Sequence, residues 1–260
     1  MNFSKIMEQA QKYLQYDMIK RHTDLPPFPE SRAKLLYTFL SQKSLYPEHT
    51  DTLVLVASLA QMGLDTHDMV PGVNGQTYLK EIRTNQLRVL AGDYFSSCFY
   101  YLLSIIRQNK IIHSLANAVS DANRIKLSLY LRMKEGRIMA EEYLNDLVIL
   151  KMKLFLPFSQ CMQPSFRETW EKMLHALSSC EVLLEELLKI DNDGPNEMGY
   201  GYWFVREKKG ESPKEMLMGR LEQQVQCLME GANVLFSHSF REVVRRMAKP
   251  FVEYLSATRV

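Results

Sequence analysis

The chain predicts an all-α fold, a large helical bundle of about ten helices. Three observations carry this. Helical apolar patterning runs through nearly all of the 260 residues, and no run alternates with the period of two that a strand needs. Proline and glycine clusters fall between the patterned segments. Several central segments are apolar on every side, which puts them inside a layer of other helices.

The elements follow in order. A first helix is expected over Ser4–Arg21, and the prolines of DLPPFPES (24–31) end it. The second runs over Ser31–Gln42. Pro47 and Thr50 open a third that reaches about Val70, before the turn cluster PGVNGQ (71–76). A long helix over Tyr78–Asn109 and another over Ile111–Lys134 follow, the latter stopping at Gly136. Ala140–Gln160 reads as one helix that meets Pro164, and Phe166–Ile190 as a leucine-rich one. Residues 191–212, DNDGPNEMGYGYWFVREKKGES, read as the one long irregular segment: a surface loop or short hairpin, or else a lid or partner-docking loop. Pro213–Leu235 and Ser239–Leu255 close the chain. Without an internal repeat or a low-complexity linker, residues 1–260 are expected to form a single domain.

Composition narrows the function. Apolar residues make up 46%, charged residues 24%, and the net charge is +2, so the basic excess needed for non-specific nucleic-acid binding is missing. The four cysteines, Cys98, Cys161, Cys180 and Cys227, lie far apart in apolar helical contexts, with no C-x-x-C pair to suggest zinc or redox chemistry. Free thiols fit a reducing compartment, and the amphipathic start MNFSKIMEQAQKYLQYDMIK lacks the apolar core of a secretory signal. The longest apolar runs, Leu53–Ala60 and Cys98–Leu103, fall short of the roughly 20 residues of a membrane span. The expected location is cytoplasmic, or peripheral at a membrane. Fifteen methionines fit either a loosely specified helical core or a surface for a flexible apolar partner.

One stretch raises a question of its own. LRVLAGDYFSSCFYYLLS (87–104) reads as a buried helix, yet Gly92 and Asp93 stand side by side at its centre. Glycine weakens a helix by about 1 kcal/mol relative to alanine, and a buried carboxylate needs a partner. Gly92 is expected to let two helices approach closely, with Ser96 one turn on extending a strip of small residues. Asp93 and Ser97 form an i, i+4 pair on one side of the helix.

Four stretches in order, LVLVASLAQMGLDTHDMV, VLAGDYFSS, AEEYLNDLVILKMKLF and LLKIDNDG, resemble the trans-type polyprenyl diphosphate synthases. In that family one helix ends in D-D-x-x-D and a second carries L-x-G-D-x-L. A third carries Tyr-Leu followed by K-T-A-x-L-F, and a fourth ends in F-Q-x-x-D-D-x-x-D. The resemblance implies an isoprenoid-synthase-like bundle in which two aspartate-rich motifs hold magnesium, and magnesium holds an allylic diphosphate through its oxygens.

Residue by residue, the resemblance keeps the scaffold and loses the cation-holding acids. With Ala57-Ser58-Leu59 on the family's apolar run, the aspartate pair falls at Met62 and Gly63 and the third aspartate at Thr66. The family's lysine falls at Leu150, beside Lys151. Asp191 remains as a remnant of the second motif, with Leu188 in place of the glutamine and Asn192 and Pro195 in place of further aspartates. An Arg-Arg-Gly segment expected after the first motif is replaced by PGVNGQTYLKEIR. Gly92-Asp93 matches the family's Gly-Asp, and Asp93 then stands either as a hydrogen-bonded core carboxylate or as the trace of a substrate site.

This pattern resembles the small, diverged subunit of the two-component heptaprenyl diphosphate synthases. The resemblance implies an accessory subunit with no catalytic residues and no cofactor of its own. Its partner would be the catalytic subunit, which carries both aspartate-rich motifs and the magnesium. The pair would make the side chain of menaquinone, and this subunit would help set product length by shaping the elongation cavity, with a prenyl diphosphate tail as a further partner. Ala57 and Ser58, small where bulky residues block elongation in the family, are cavity candidates or simply allow helix packing. Two rival readings are a helical adaptor that buries Glu181–Leu188 against another protein, and a metal phosphohydrolase built on His67-Asp68 with His49 and Asp93.

Overall fold

The structure is a computed structural model that describes residues 3–15, 24–71, 79–194, 198–208, 210–235 and 238–258. Among these residues the protein is all-α, with ten α-helices and no strand. The expected turn at 71–76 lies, beyond Pro71, outside the described residues. So does the end of the first helix, which is described as α1 (Phe3–Leu14).

The helices group into two compact units, Met1–Val119 with Gln160–Gln163, and Ser120–Ser159 with Pro164–Val260. The first contains α1, α2 (Glu30–Lys43), α3 (Thr50–Asp68), α4 (Leu79–Ile105) and the start of α5 (Asn109–Lys134). At its centre is α3. Every residue from Leu53 to Leu64 is buried, because α1, α2 and α4 all pack on it. That explains its all-round apolar sequence LVLVASLAQMGL. Leu45 N–H donates to Cys161 O at 2.7 Å and Gln163 N–H to Lys43 O at 3.0 Å, fastening 160–163 beyond the end of α2.

The long helix ends earlier than its pattern suggests. Arg107 takes a left-handed φ of +54°, and Gln108 N–H bonds back to Leu103 O at 3.0 Å. This closes α4 with a backbone reversal and lets α5 start afresh.

The second unit contains the remainder of α5, α6 (Ala140–Lys153), α7 (Pro164–Asp193), α8 (Tyr200–Glu207), α9 (Pro213–Leu235) and α10 (His238–Thr258). The spine is α7, packed against α6 and α9, and α9 packs in turn on α10. Two expectations are corrected here. The helix expected over Ala140–Gln160 stops at Lys153 and gives way to a 3-10 turn over Leu156–Cys161. Pro157 has no N–H to continue the ladder. Residues 191–212 are not one irregular segment: α7 runs on to Asp193, and α8 buries Tyr200, Trp203 and Phe204. Aromatic burial outweighs the weak local propensity of an eight-residue helix.

Candidate functional site

The α3–α4 contact holds most of the singled-out residues. A Cβ built on Gly63 would meet Gly92 O and Ser96 Oγ, each at 3.2 Å, so the two helices touch backbone to backbone there. A Cβ on Gly92 would lie 2.6 Å from Cε1 and Nε2 of His67, so the imidazole occupies the space glycine leaves. The His67 Nε2 is then 3.5 Å from Asp93 Oδ1. Ala57 and Ser58 are fully buried one to two turns earlier on α3, and the Ser58 hydroxyl donates to Val54 O at 2.8 Å.

The positions where the resemblance expects metal-holding acids are closed. Met62, Gly63 and Thr66 are buried, and the Thr66 hydroxyl turns back to Met62 O at 2.5 Å. A thioether, a glycine and a hydroxyl committed to its own helix cannot grip a hard divalent cation, which takes carboxylate oxygens. Among the described residues no group of three or more His, Cys, Asp or Glu side chains could hold a metal ion. The magnesium that the resemblance implies therefore does not fit the residues at these three positions. The hydrolase set is not gathered either. His49 lies at the start of α3 with Glu48 at 3.7 Å, while His67 faces Asp93.

A polar chain beside this contact was not foreseen. Buried Arg32 on α2 donates to Gln61 Oε1 at 3.2 Å, and Gln61 Nε2 donates to Asp65 Oδ1 at 2.8 Å. The signal was Gln61 itself, an amide inside an apolar run, which must find partners when buried.

In the second unit, Asp191 ties α7 to α9 and α10. Its carboxylate pairs with the Lys214 ammonium and accepts from the Tyr254 hydroxyl at 2.6 Å. Burial pushes its pKa up, but the bonds from Lys214 and Tyr254 outweigh that and hold it below the usual carboxylate range. Lys151 is likewise engaged, 2.6 Å from Glu185. Nothing local in the sequence singles out Glu186. This buried carboxylate accepts from Tyr143 Oη at 3.2 Å, Lys189 Nζ at 2.6 Å and the backbone N–H of Tyr200 at 2.7 Å. It thereby satisfies an orphan N–H at the start of α8. Burial, with Glu186 alongside, pushes the Tyr143 phenol well above its ordinary range. A groove of about 750 Å³ runs between α7 and α9, with Met152 and Met173 among its walls.

The outer side of α4 corrects the expectation of a helix buried all round. Ala91, Gly92, Phe95, Phe99 and Leu103 face inward, but Ile82, Val89, Leu90, Tyr100, Tyr101 and Ile105 are 40 to 64% exposed. Asp93 and Ser97 lie on this outer side, and the Ser97 hydroxyl bonds to Asp93 O at 2.8 Å. Asp93 is not a core carboxylate: its side chain is 63% exposed. The stretch is apolar on both sides, while the described residues bury only one.

Solved structures similar to this fold are isoprenyl diphosphate synthases. Geranylgeranyl pyrophosphate synthetase from Pyrococcus horikoshii aligns with a TM-score of 0.72 at 12% identity, over 96% of this chain and 98% of that chain. Heptaprenyl diphosphate synthase from Staphylococcus aureus aligns with a TM-score of 0.70 at 10% identity, over 95% of this chain and 96% of that chain. The protein therefore has the all-α fold of the isoprenyl diphosphate synthases. More narrowly, it belongs to the family described as heptaprenyl diphosphate synthase (HEPPP synthase) subunit 1, which matches residues 16–233. A curated relative, heptaprenyl diphosphate synthase component 1 of Geobacillus stearothermophilus, is 37% identical over 91 residues, which span 35% of this chain and 39% of that relative's own length. Among the described residues no helix is long and apolar enough to cross a membrane.

Proposed function

We propose that this chain is the accessory subunit of a two-component heptaprenyl diphosphate synthase. It pairs with a catalytic chain that carries both aspartate-rich motifs, and prenyl transfer belongs to the pair. The observation that carries this reading is the buried Met62, Gly63 and Thr66, standing where the family's acids hold magnesium. Family membership as a subunit, and a long helix that exposes Leu90, Tyr101 and Ile105 on one side, support it further. On this reading magnesium and both diphosphates are held by the partner. The pair joins isopentenyl diphosphate to an allylic diphosphate repeatedly, and each addition releases one diphosphate.

The product proposed is the heptaprenyl side chain of menaquinone. Product-length control is assigned to the small residues of α3, with Ala57 and Ser58 leaving room in a cavity for the growing chain. The test is reconstitution. Each purified chain is assayed with isopentenyl and allylic diphosphates and magnesium, alone and mixed, and the products are sized. The reading expects transfer only in the mixture, ending at seven five-carbon units. Full activity and the same product length from the catalytic chain alone would instead favour a helical adaptor.

A further inference from the structure

Two helices of the second unit begin on a carboxylate supplied by another helix. The N–H of Tyr200, the first residue of α8, donates to Glu186 Oε2 on α7 at 2.7 Å. The N–H of Ala140, the first residue of α6, donates to Oε1 of Glu207, the last residue of α8, at 2.6 Å. One turn into α6, Tyr143 Oη donates to Glu186 Oε1 at 3.2 Å. These bonds close a circuit that runs from α7 to α8, from α8 to α6, and from α6 back to α7. The first N–H groups of a helix have no acceptor within it, and an anion there is favourable. Gly199 and Met139, which precede the two helices, supply no side-chain cap.

Buried donors oppose the circuit. The Tyr200 hydroxyl and Trp203 Nε1, both on α8, are buried and have no hydrogen-bond partner among the described residues. Burial pushes the Tyr200 phenol up to about 12, so at neutral pH it keeps its proton and remains a donor. Each of these groups regains a partner in water, and leaving it unpaired works against burial. Glu186, itself buried, is hydrated once α8 lifts, and it keeps Lys189 as a partner because both lie on α7. Eight residues do not hold a helix by themselves, so α8 depends on its packed face and on the circuit.

We infer that α8 is a latch: it opens as one unit together with the first turn of α6, while α7 stays folded. The circuit makes the opening concerted. Lifting α8 withdraws Glu207 from Ala140 at one end and the Tyr200 N–H from Glu186 at the other. Glu186 is also where Tyr143 is held, so both attachments of the start of α6 loosen together. What opens is the aromatic face of Tyr200, Trp203 and Phe204, and what it uncovers is Glu186 and Tyr143. Sub-global openings of this kind occur below the free energy of global unfolding. The inference is independent of the two-chain reading.

The experiment is native-state hydrogen exchange on the full chain, followed by NMR at the amides of Ala140, Tyr200, Leu177 and Cys180. In wild type, Ala140 and Tyr200 show a common protection, at least about a hundredfold below that of Leu177 and Cys180 at the centre of α7. Glu207 is exposed, so Glu207→Ala leaves the core intact. That variant speeds exchange at Tyr200, at the far end of α8, by about tenfold. Tyr200→Phe removes the unpaired hydroxyl and slows exchange at residue 200 by about fivefold. Leu177 and Cys180 do not change in either variant. Protection at Tyr200 equal to that at Leu177 overturns the inference, since α8 then opens only with the whole unit. A Tyr200 amide that ignores Glu207→Ala overturns it too, because the two helix starts are then held separately. Faster exchange in Tyr200→Phe does the same, by showing that the hydroxyl favours closure.

Discussion

The imidazole of His67 lies flat against Gly92, where a Cβ would come within 2.6 Å of the ring. This couples one glycine to one histidine across α3 and α4 and sets the histidine beside Asp93. In Gly92→Ala the ring must swing aside, which a half-exposed side chain can do. Helix propensity returns up to about 1 kcal/mol of the cost. The expected outcome is a small net loss in Tm that disappears in a His67→Ala background, a coupling of about 0.5 kcal/mol or more. Equal effects of Gly92→Ala in both backgrounds would remove His67 from the contact.

Gly63 is the stricter position. Its neighbours are a backbone carbonyl, Gly92 O, and Ser96 Oγ, each 3.2 Å from a built Cβ. Backbone cannot rotate away, so a larger side chain pushes the helices apart. Gly63→Val is expected to cost about 1–3 kcal/mol by overpacking, read as a lower midpoint in chemical denaturation. An unchanged midpoint would contradict the close approach.

Glu186 is buried and accepts from Tyr143, Lys189 and the Tyr200 N–H. Glu186→Leu leaves these donors without their acceptor, and a loss of about 3 kcal/mol is expected. Because the Tyr200 bond starts α8, Trp203 fluorescence should red-shift as the aromatic face loosens. Retention of both stability and the native spectrum would show that α8 is held by packing alone.

Asp191 makes a pH prediction. Its folded pKa is held below the ordinary carboxylate range. A depressed carboxylate contributes its stability above the unfolded pKa and loses it as pH falls through the folded value. Acid titration of Tm should therefore be steeper for wild type than for Asp191→Asn, the curves converging at the lowest pH. Parallel curves would mean that Lys214 and Tyr254 do not hold the charge.

Ala57 tests the proposed role in product length. In the reconstituted pair, Ala57→Phe should end elongation before seven units while the isolated chain still folds, at a cost of about 1–3 kcal/mol. An unchanged heptaprenyl product would take Ala57 off the cavity wall.

Much of the fold was legible because its signals are local. Proline and glycine clusters marked most helix ends, and the all-round apolarity of Leu53–Leu64 announced the central helix. Pro157 was as plain a signal, but the strong pattern on either side of it read as continuous. Tyr200–Glu207 was hidden because its helix depends on tertiary burial of Tyr200, Trp203 and Phe204. Glu186 looked like one more charge on a leucine-rich helix, since nothing local reveals that Tyr143 and Tyr200 converge on it. Asp93 shows a deeper limit. Periodicity tells that both sides of α4 are apolar, but it cannot say which side this chain covers.

The central claim is that this chain keeps a prenyl-synthase framework and works through a second chain. The most direct measurement is prenyl transfer by the two purified chains, separately and together, at matched concentration and in magnesium. The account predicts no elongation from this chain alone and heptaprenyl diphosphate from the pair. Sustained elongation by this chain alone would contradict it.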